Sequence, residues 1–112
     1  MGYYSEVALV LKKEANGKLL QAIKSESEYV QELIEKWPER HEVNEKTGEI
    51  LYSWNSIKWY GDECEFLNNF LKELDSEDYR FMRLGEEYGD IDEHGQFYDC
   101  AFNLIATSAI EI

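Results

Sequence analysis

The sequence predicts an α+β domain, a largely antiparallel sheet with two main helices packed on one face. Several stretches alternate apolar and polar residues with the period of two that a half-buried strand needs, and two others repeat apolar residues at helical spacing. The order of these segments is the third observation. Strand, helix, strand, strand, helix, strand is the βαββαβ order of the ferredoxin-like split motif, and an extra C-terminal strand follows it.

The first strand is "YYSEVALVLKK", with Val7, Leu9 and Leu11 on one side and Ala8, Val10 and Lys12 on the other. Asn16-Gly17 reads as a break, after which Leu19, Leu20 and Ile23 mark a short helical turn. "SESEYVQELIEKWPE" is the clearest helix of the first half. Val30, Leu33, Ile34 and Trp37 form its stripe, Ser25 and Glu28 read as a capping box, and Pro38 stops it. "RHEVNEKTGEILYSWNSIKWY" is a hairpin whose turn is Glu45-Lys46-Thr47, with Gly48 supplying a positive φ. The next helix runs through "GDECEFLNNFLKELDSED", capped by Asp62 with Glu65, and its stripe is Phe66, Leu67, Phe70, Leu71 and Leu74. "DYRFMRL" is a strand. The final "FYDCAFNLIATSAIEI" alternates throughout, which predicts a last strand with Tyr98, Cys100, Phe102, Leu104, Ala106, Ile110 and Ile112 on one face.

A chain of 112 residues without linker, repeat or low-complexity segment is expected to form one domain, residues 1–112. With 14% aromatic residues it is too rich in large apolar groups for a disordered acidic tail. No apolar run approaches the ~20 residues of a membrane span, and the start lacks the basic and apolar regions of a secretory signal. Gly2 is a partial myristoylation cue, but Glu6 stands where the pattern wants Ser or Thr. Cys64 and Cys100 stand apart with no CxxC, which suits a reducing compartment. A cytoplasmic protein with no membrane association is the expectation.

Charge is the outlier. The net charge is −13, and residues 62–112 hold fourteen acids against only Lys72, Arg80 and Arg83. Such a field repels nucleic acid and anionic membranes and attracts cationic partners. It also decides the reading of Tyr52, Trp54, Trp59 and Tyr60, because stacking bases on these rings would require a basic groove for the phosphates. Direct nucleic-acid binding is therefore excluded; packing in the core and on the sheet face is the main reading of these rings, with Trp54 and Trp59 kept as candidate aromatic anchors for a protein partner.

The stretch "GEEYGDIDEHG", Gly85 to Gly95, concentrates the acidity. As a calcium loop it fails, since Asp90, Asp92 and His94 would be followed by Gly95 at the sixth position but by Ala101 at the twelfth, where a glutamate is needed. A transition-metal site of His94, its neighbouring acids and distant His41 has no supporting ligand spacing. No metal and no cofactor are expected. A catalytic pair needs two carboxylates in different environments, and a Gly-flanked loop offers similar wet surroundings to all of them. With no GxGxxG, P-loop, GxSxG or HExxH, no catalytic residue is assigned. The glutamates of the two helices, among them Glu26, Glu28, Glu65 and Glu73, read mostly as solvated faces. What a solvated surface explains poorly is one sign of charge with little of the other. The candidate partner-binding residues are therefore Asp75, Glu77, Asp78, Glu86, Glu87, Asp90, Asp92 and Glu93. If the loop carboxylates Glu86, Glu87, Asp90, Asp92 and Glu93 form a binding surface, they lie exposed and poorly packed, and reversing Asp90, Asp92 and Glu93 to lysine leaves stability nearly unchanged.

Together "YYSEVALVL", "SWNSIKWY" and "DYRFMRLGEEYGDIDEHG" resemble a family of small uncharacterised acidic proteins of bacteriophage and prophage genomes. The resemblance carries no catalytic residues. It implies a setting, the host bacterial cytoplasm, and a role: binding and inhibiting a host nucleic-acid-handling or defence factor, as anti-CRISPR proteins do, with carboxylates in place of phosphates. The expected partner is a basic protein. Two other classes share the acidity and size, a toxin-neutralising immunity protein and a small enzyme with a scattered active site.

Overall fold

The run Val7-Ala8-Leu9-Val10-Leu11 is wholly buried on both faces, as the middle strand of a covered sheet must be. The computed structural model describes residues 4–59, 62–87, 89–98, 102, 105–106 and 110–111, without the side chains of residues 62–64, 105–106 and 111. In it, β1 (Ser5–Leu11) leads through α1 (Lys13–Ile23) and α2 (Glu28–Glu35) to the hairpin of β2 (Arg40–Val43) and β3 (Ile50–Ile57). Then come α3 (Asp62–Lys72), a 3-10 turn at Ser76–Asp78, β4 (Tyr79–Leu84) and β5 (Ile91–His94). The five strands form one antiparallel sheet in the order β2-β3-β1-β4-β5. Two short strands, β6 (Ile105–Ala106) and β7 (Ile110–Glu111), pair with each other. The fold is α+β.

Val7, Leu9 and Leu11 join Tyr52, Trp54, Tyr79 and Phe81 in a core that the three helices close from one side. Two buried hydrogen bonds from β3 dock the first two helices: the Tyr52 hydroxyl donates to Asn16 Oδ1 at 2.6 Å, and Trp54 Nε1 donates to the Leu33 carbonyl at 3.0 Å. The first bond explains why Asn16-Gly17 is no break. Ala15, Leu19 and Ile23 face the core at helical spacing, so Asn16 enters the interior beside them and is satisfied by Tyr52. The cap of α2 is Ser27, whose Oγ accepts from Val30 N, two residues later than the Ser25 box predicted. In the β2–β3 turn, Asn44 Oδ1 accepts from the amides of Lys46 and Thr47, and Gly48 takes φ 78° as expected.

The C-terminal third departs most from the sequence reading. The strand after β4 lies inside the acidic stretch, at Ile91–His94, and not in one long run from residue 97. Its predominantly polar sequence fits an edge strand, which needs a partner on one side only and is protected by charged side chains. Beyond it Tyr98 sits in a turn and Phe102 in a bend, while Cys100, Leu104 and Ile112 lie outside the described residues. The returning chain meets the face of the sheet opposite the helices. Lys12 stands 5.1 Å over the Phe97 ring, Arg80 5.0 Å over Tyr98, and Ile110 N donates to Glu6 Oε2 at 2.7 Å. On that face Ala8, Val10, Leu51 and Met82 are buried.

Candidate functional site

The acidic segment is organised by the two arginines of β4. Register pairs Arg83 with Asp92 and Met82 with Glu93, so successive carboxylates of β5 point to opposite faces of the sheet. On the helical face Arg83 bonds Asp90 Oδ1 at 2.6 Å, Asp92 Oδ2 at 2.7 Å and the Ser5 hydroxyl at 3.0 Å. On the other face Arg80 bonds Glu93 Oε1 at 2.9 Å. The Arg83 side chain is 14% exposed, against 34% for Asp90 and 49% for Asp92. The bond to Asp90 raises the pKa of the guanidinium; burial opposes that shift, and Asp92 adds to it. These carboxylates are therefore structural partners as well as surface groups.

The other predicted acids fall at two ends. The Asp75 side chain accepts from Glu77 N and caps the 3-10 turn, and Asp78 pairs with Lys12 at 3.5 Å. This end meets the end of β5 through Gln96 N, which donates to the Ser76 carbonyl. Glu86 and Glu87 lie exposed at the far end of β4, roughly 17 Å away at ~3.4 Å per residue, and Glu86 accepts from Tyr4 N. The eight residues do not form one continuous array. Gly95 closes β5 with φ 86°, and a Cβ there would strike the Tyr79 carbonyl, so the end of the strand is fixed by glycine.

Trp54 and Trp59 are buried at 2% and 9%, in line with core packing, and neither is an exposed anchor. They join a line of rings, Trp54 tilted on Trp59 at 5.8 Å, Trp59 tilted on Phe81 at 5.9 Å and Phe81 stacked on His94 at 5.8 Å. Their apolar bulk is worth more in the core, and the exposed aromatic pair is Tyr29 with Trp37, edge to face at 4.8 Å. His41 and His94 stand on β2 and β5, the opposite edges of the sheet, roughly 19 Å apart by strand spacing, and cannot share a ligand. Among the described residues no cluster of three metal-ligating side chains occurs.

Two hollows flank α3. Between α3 and the β4–β5 hairpin lies a cleft of about 560 Å³. Trp59, Tyr79 and Phe81 line it from the core, Asn68 and Lys72 from the helix, and the Arg83 cluster with His94 from the sheet edge. Burial pushes the Tyr79 phenol up from its ordinary pKa. On the other flank is a shallow, open groove of about 380 Å³, lined by Phe66, Phe70, Asn69 and Glu65 of α3, by Glu73 just after it and by Glu26 of the α1–α2 turn. The two phenylalanine rings stack at 6.5 Å and pack against the core from their inner side. Glu26, Glu65 and Glu73 are exposed and meet no cation among the described residues. Sequence reasoning placed Phe66 and Phe70 on the stripe of α3 but had no signal for Glu26, which only the packing of the α1–α2 turn brings there.

No helix among the described residues is long and apolar enough to cross a membrane. Comparison with known protein families, with curated proteins and with solved structures returns no match for this chain.

Proposed function

We propose that this chain is an acidic protein-binding module whose partner is a basic, nucleic-acid-handling protein, blocked at the surface where it would otherwise hold phosphates. The observation that carries this reading is the charge surplus. Arg80 and Arg83 organise the acidic segment and Lys12 pairs with Asp78, but the −13 is what remains after every lysine and arginine of the chain has been counted. An outside cationic surface can offset it. Carboxylates on a rigid scaffold engage lysines and arginines adapted to phosphate, with fast and salt-sensitive association. The phage resemblance supplies the setting in which such inhibition of a host defence factor is useful.

The test is capture from a bacterial lysate on the immobilised chain, elution along a salt gradient, and competition with duplex DNA. A basic nucleic-acid-binding protein that leaves with rising salt and is displaced by DNA is the expected result. A partner that DNA cannot displace retains binding but removes the substitution for phosphate, and retention of no basic protein overturns the reading. The cleft supports a second reading, a small-ligand protein or enzyme, because its volume lies in the range of small-molecule sites and His94, Lys72 and Asn68 converge on it. Titration with divalent metals and a screen for turnover test that reading separately.

A further inference from the structure

We infer that the groove between α3 and the α1–α2 turn is where a basic partner docks, and that it takes a lysine- and arginine-rich amphipathic helix that seats an apolar side chain against Phe66 and Phe70. This deepens the reading above and rests on it, since it specifies which surface meets the cations. The groove combines two features that recognition by such a helix needs. Its floor is apolar and held from behind, because both rings pack on the core and stack on each other at 6.5 Å. Its rim is of one sign, with Glu65 and Glu73 on α3 and Glu26 across from them. Helix-in-groove recognition uses this division, with apolar anchors in the trough and charges along the edge.

Charge selects the occupant. A second copy of this chain would bring another −13 to the rim, and nucleic acid or an anionic membrane would be repelled in the same way. The acidic strand β5 is a weaker candidate for the same partner. A partner's arginine arriving at Asp90 or Asp92 must displace Arg83, and at Glu93 it must displace Arg80. At Glu26, Glu65 and Glu73 no described cation has to leave.

The probe is a labelled basic amphipathic peptide with leucine and phenylalanine on its apolar face, compared with a scrambled peptide of equal charge. Affinity is read by anisotropy, and the binding surface by amide shifts of the isotope-labelled wild-type chain. The amphipathic peptide is expected to bind roughly tenfold more tightly than the scrambled one and to shift residues around Phe66, Phe70 and Glu26. Combined Glu65→Gln and Glu73→Gln should weaken it by about fivefold to tenfold, with a melting temperature no lower than that of the wild type. Shifts confined to β5 and the cleft, equal affinity for the two peptides, or indifference to the glutamine substitutions would overturn the inference. Lysate capture with the variant Glu26→Lys, Glu65→Lys, Glu73→Lys separates the two levels. Capture of the DNA-displaceable basic partner at wild-type strength removes the groove and leaves the proposed function standing, whereas wild type that binds neither peptide nor basic protein removes both. The shift map needs no variant, so it decides the question even if the lysine variant fails to fold.

Discussion

On the sheet side of α3, both carboxylates that line the cleft are held by Arg83, whereas on the other side three glutamates surround two phenylalanines without a cation among the described residues. Both hollows are rich in the same residue types. What separates them is where the few cations of the second half went. Two of the three, Arg80 and Arg83, lie on β4, and the antiparallel register to β5 lays the densest acidic stretch directly against them. Acidity along a sequence is therefore a poor guide to acidity available at a surface. The densest run in this chain is the best neutralised, and the sparser glutamates of α3 keep the surplus.

The largest expected effect tests whether the rings under the two hollows differ in role. Phe81 is fully buried between Trp59 and His94, so Phe81→Ala should cost about 3–5 kcal/mol in urea unfolding. Phe66 is only half-buried at the groove, and Phe66→Ala should cost about 1–2 kcal/mol. Equal losses would mean that Phe66 belongs to the core and that the groove is closed in solution.

A second measurement probes the buried bond that docks α1 on β3. Burial pushes the Tyr52 phenol up to about 12, with the Glu35 carboxylate adding and the Asn16 bond opposing. The folded state then keeps its proton where the unfolded chain has lost it. Stability is fully present below pH 10 and falls as pH rises towards 12, by about 2–3 kcal/mol. Tyr79, raised by burial at the cleft, acts with the same sign. Tyr52→Phe should flatten most of this alkaline slope in a pH series of denaturation curves. It should also lower stability at neutral pH by about 1–2 kcal/mol, because Asn16 is left buried without its donor.

Much of the frame was legible in the chain. β1, β3 and β4 announce themselves by alternation, and α2 and α3 by apolar spacing, because burial of one face imposes those periods. The misread parts depend on distant partners. Asn16 sits within a helix because the Tyr52 hydroxyl, 36 residues on, donates to it in the core. β5 has one apolar residue in four and is a strand because β4 offers an edge and two arginines. Trp54 and Trp59 were legible as core aromatics, and only their additional candidacy as surface anchors ends with the sheet order that places them under the helices. The candidate site was legible as a count of charges, and its location was not, since ion pairing follows register and register is absent from composition.

The Arg83 cluster also revises what reversal of the acidic stretch should do. With Asp90, Asp92 and Glu93 changed to lysine, Arg80 and Arg83 would face cations in place of their partners, so stability should fall. The milder Asp90→Asn with Asp92→Asn should already cost about 1–2 kcal/mol, a value reduced by the partial exposure of both aspartates. A melting temperature unchanged by these substitutions would show that the guanidinium is solvated and that the two flanks of α3 do not differ.

The smallest effect carries the sharpest contrast because its sign is opposite. Glu65 and Glu73 lie in the unneutralised field of a −13 chain, so each is repelled by its neighbours more than it is attracted. Removing these two charges with Glu65→Gln and Glu73→Gln should relieve that repulsion and raise stability slightly, by up to about 0.5 kcal/mol. The gain is Coulombic between exposed groups, so it should shrink as added salt shortens the screening length from ~10 Å at 0.1 M to ~3 Å at 1 M. The loss from Asp90→Asn with Asp92→Asn should persist over the same salt range, because Arg83 is mostly buried and its bonds are short. Neutralising a carboxylate would thus stabilise the protein on one flank of the helix and destabilise it on the other, and only the first effect would fade with salt. Two losses of equal size and equal salt dependence would mean that the groove glutamates have found cations of their own, and the distinction between structural and surplus acid would have to be redrawn.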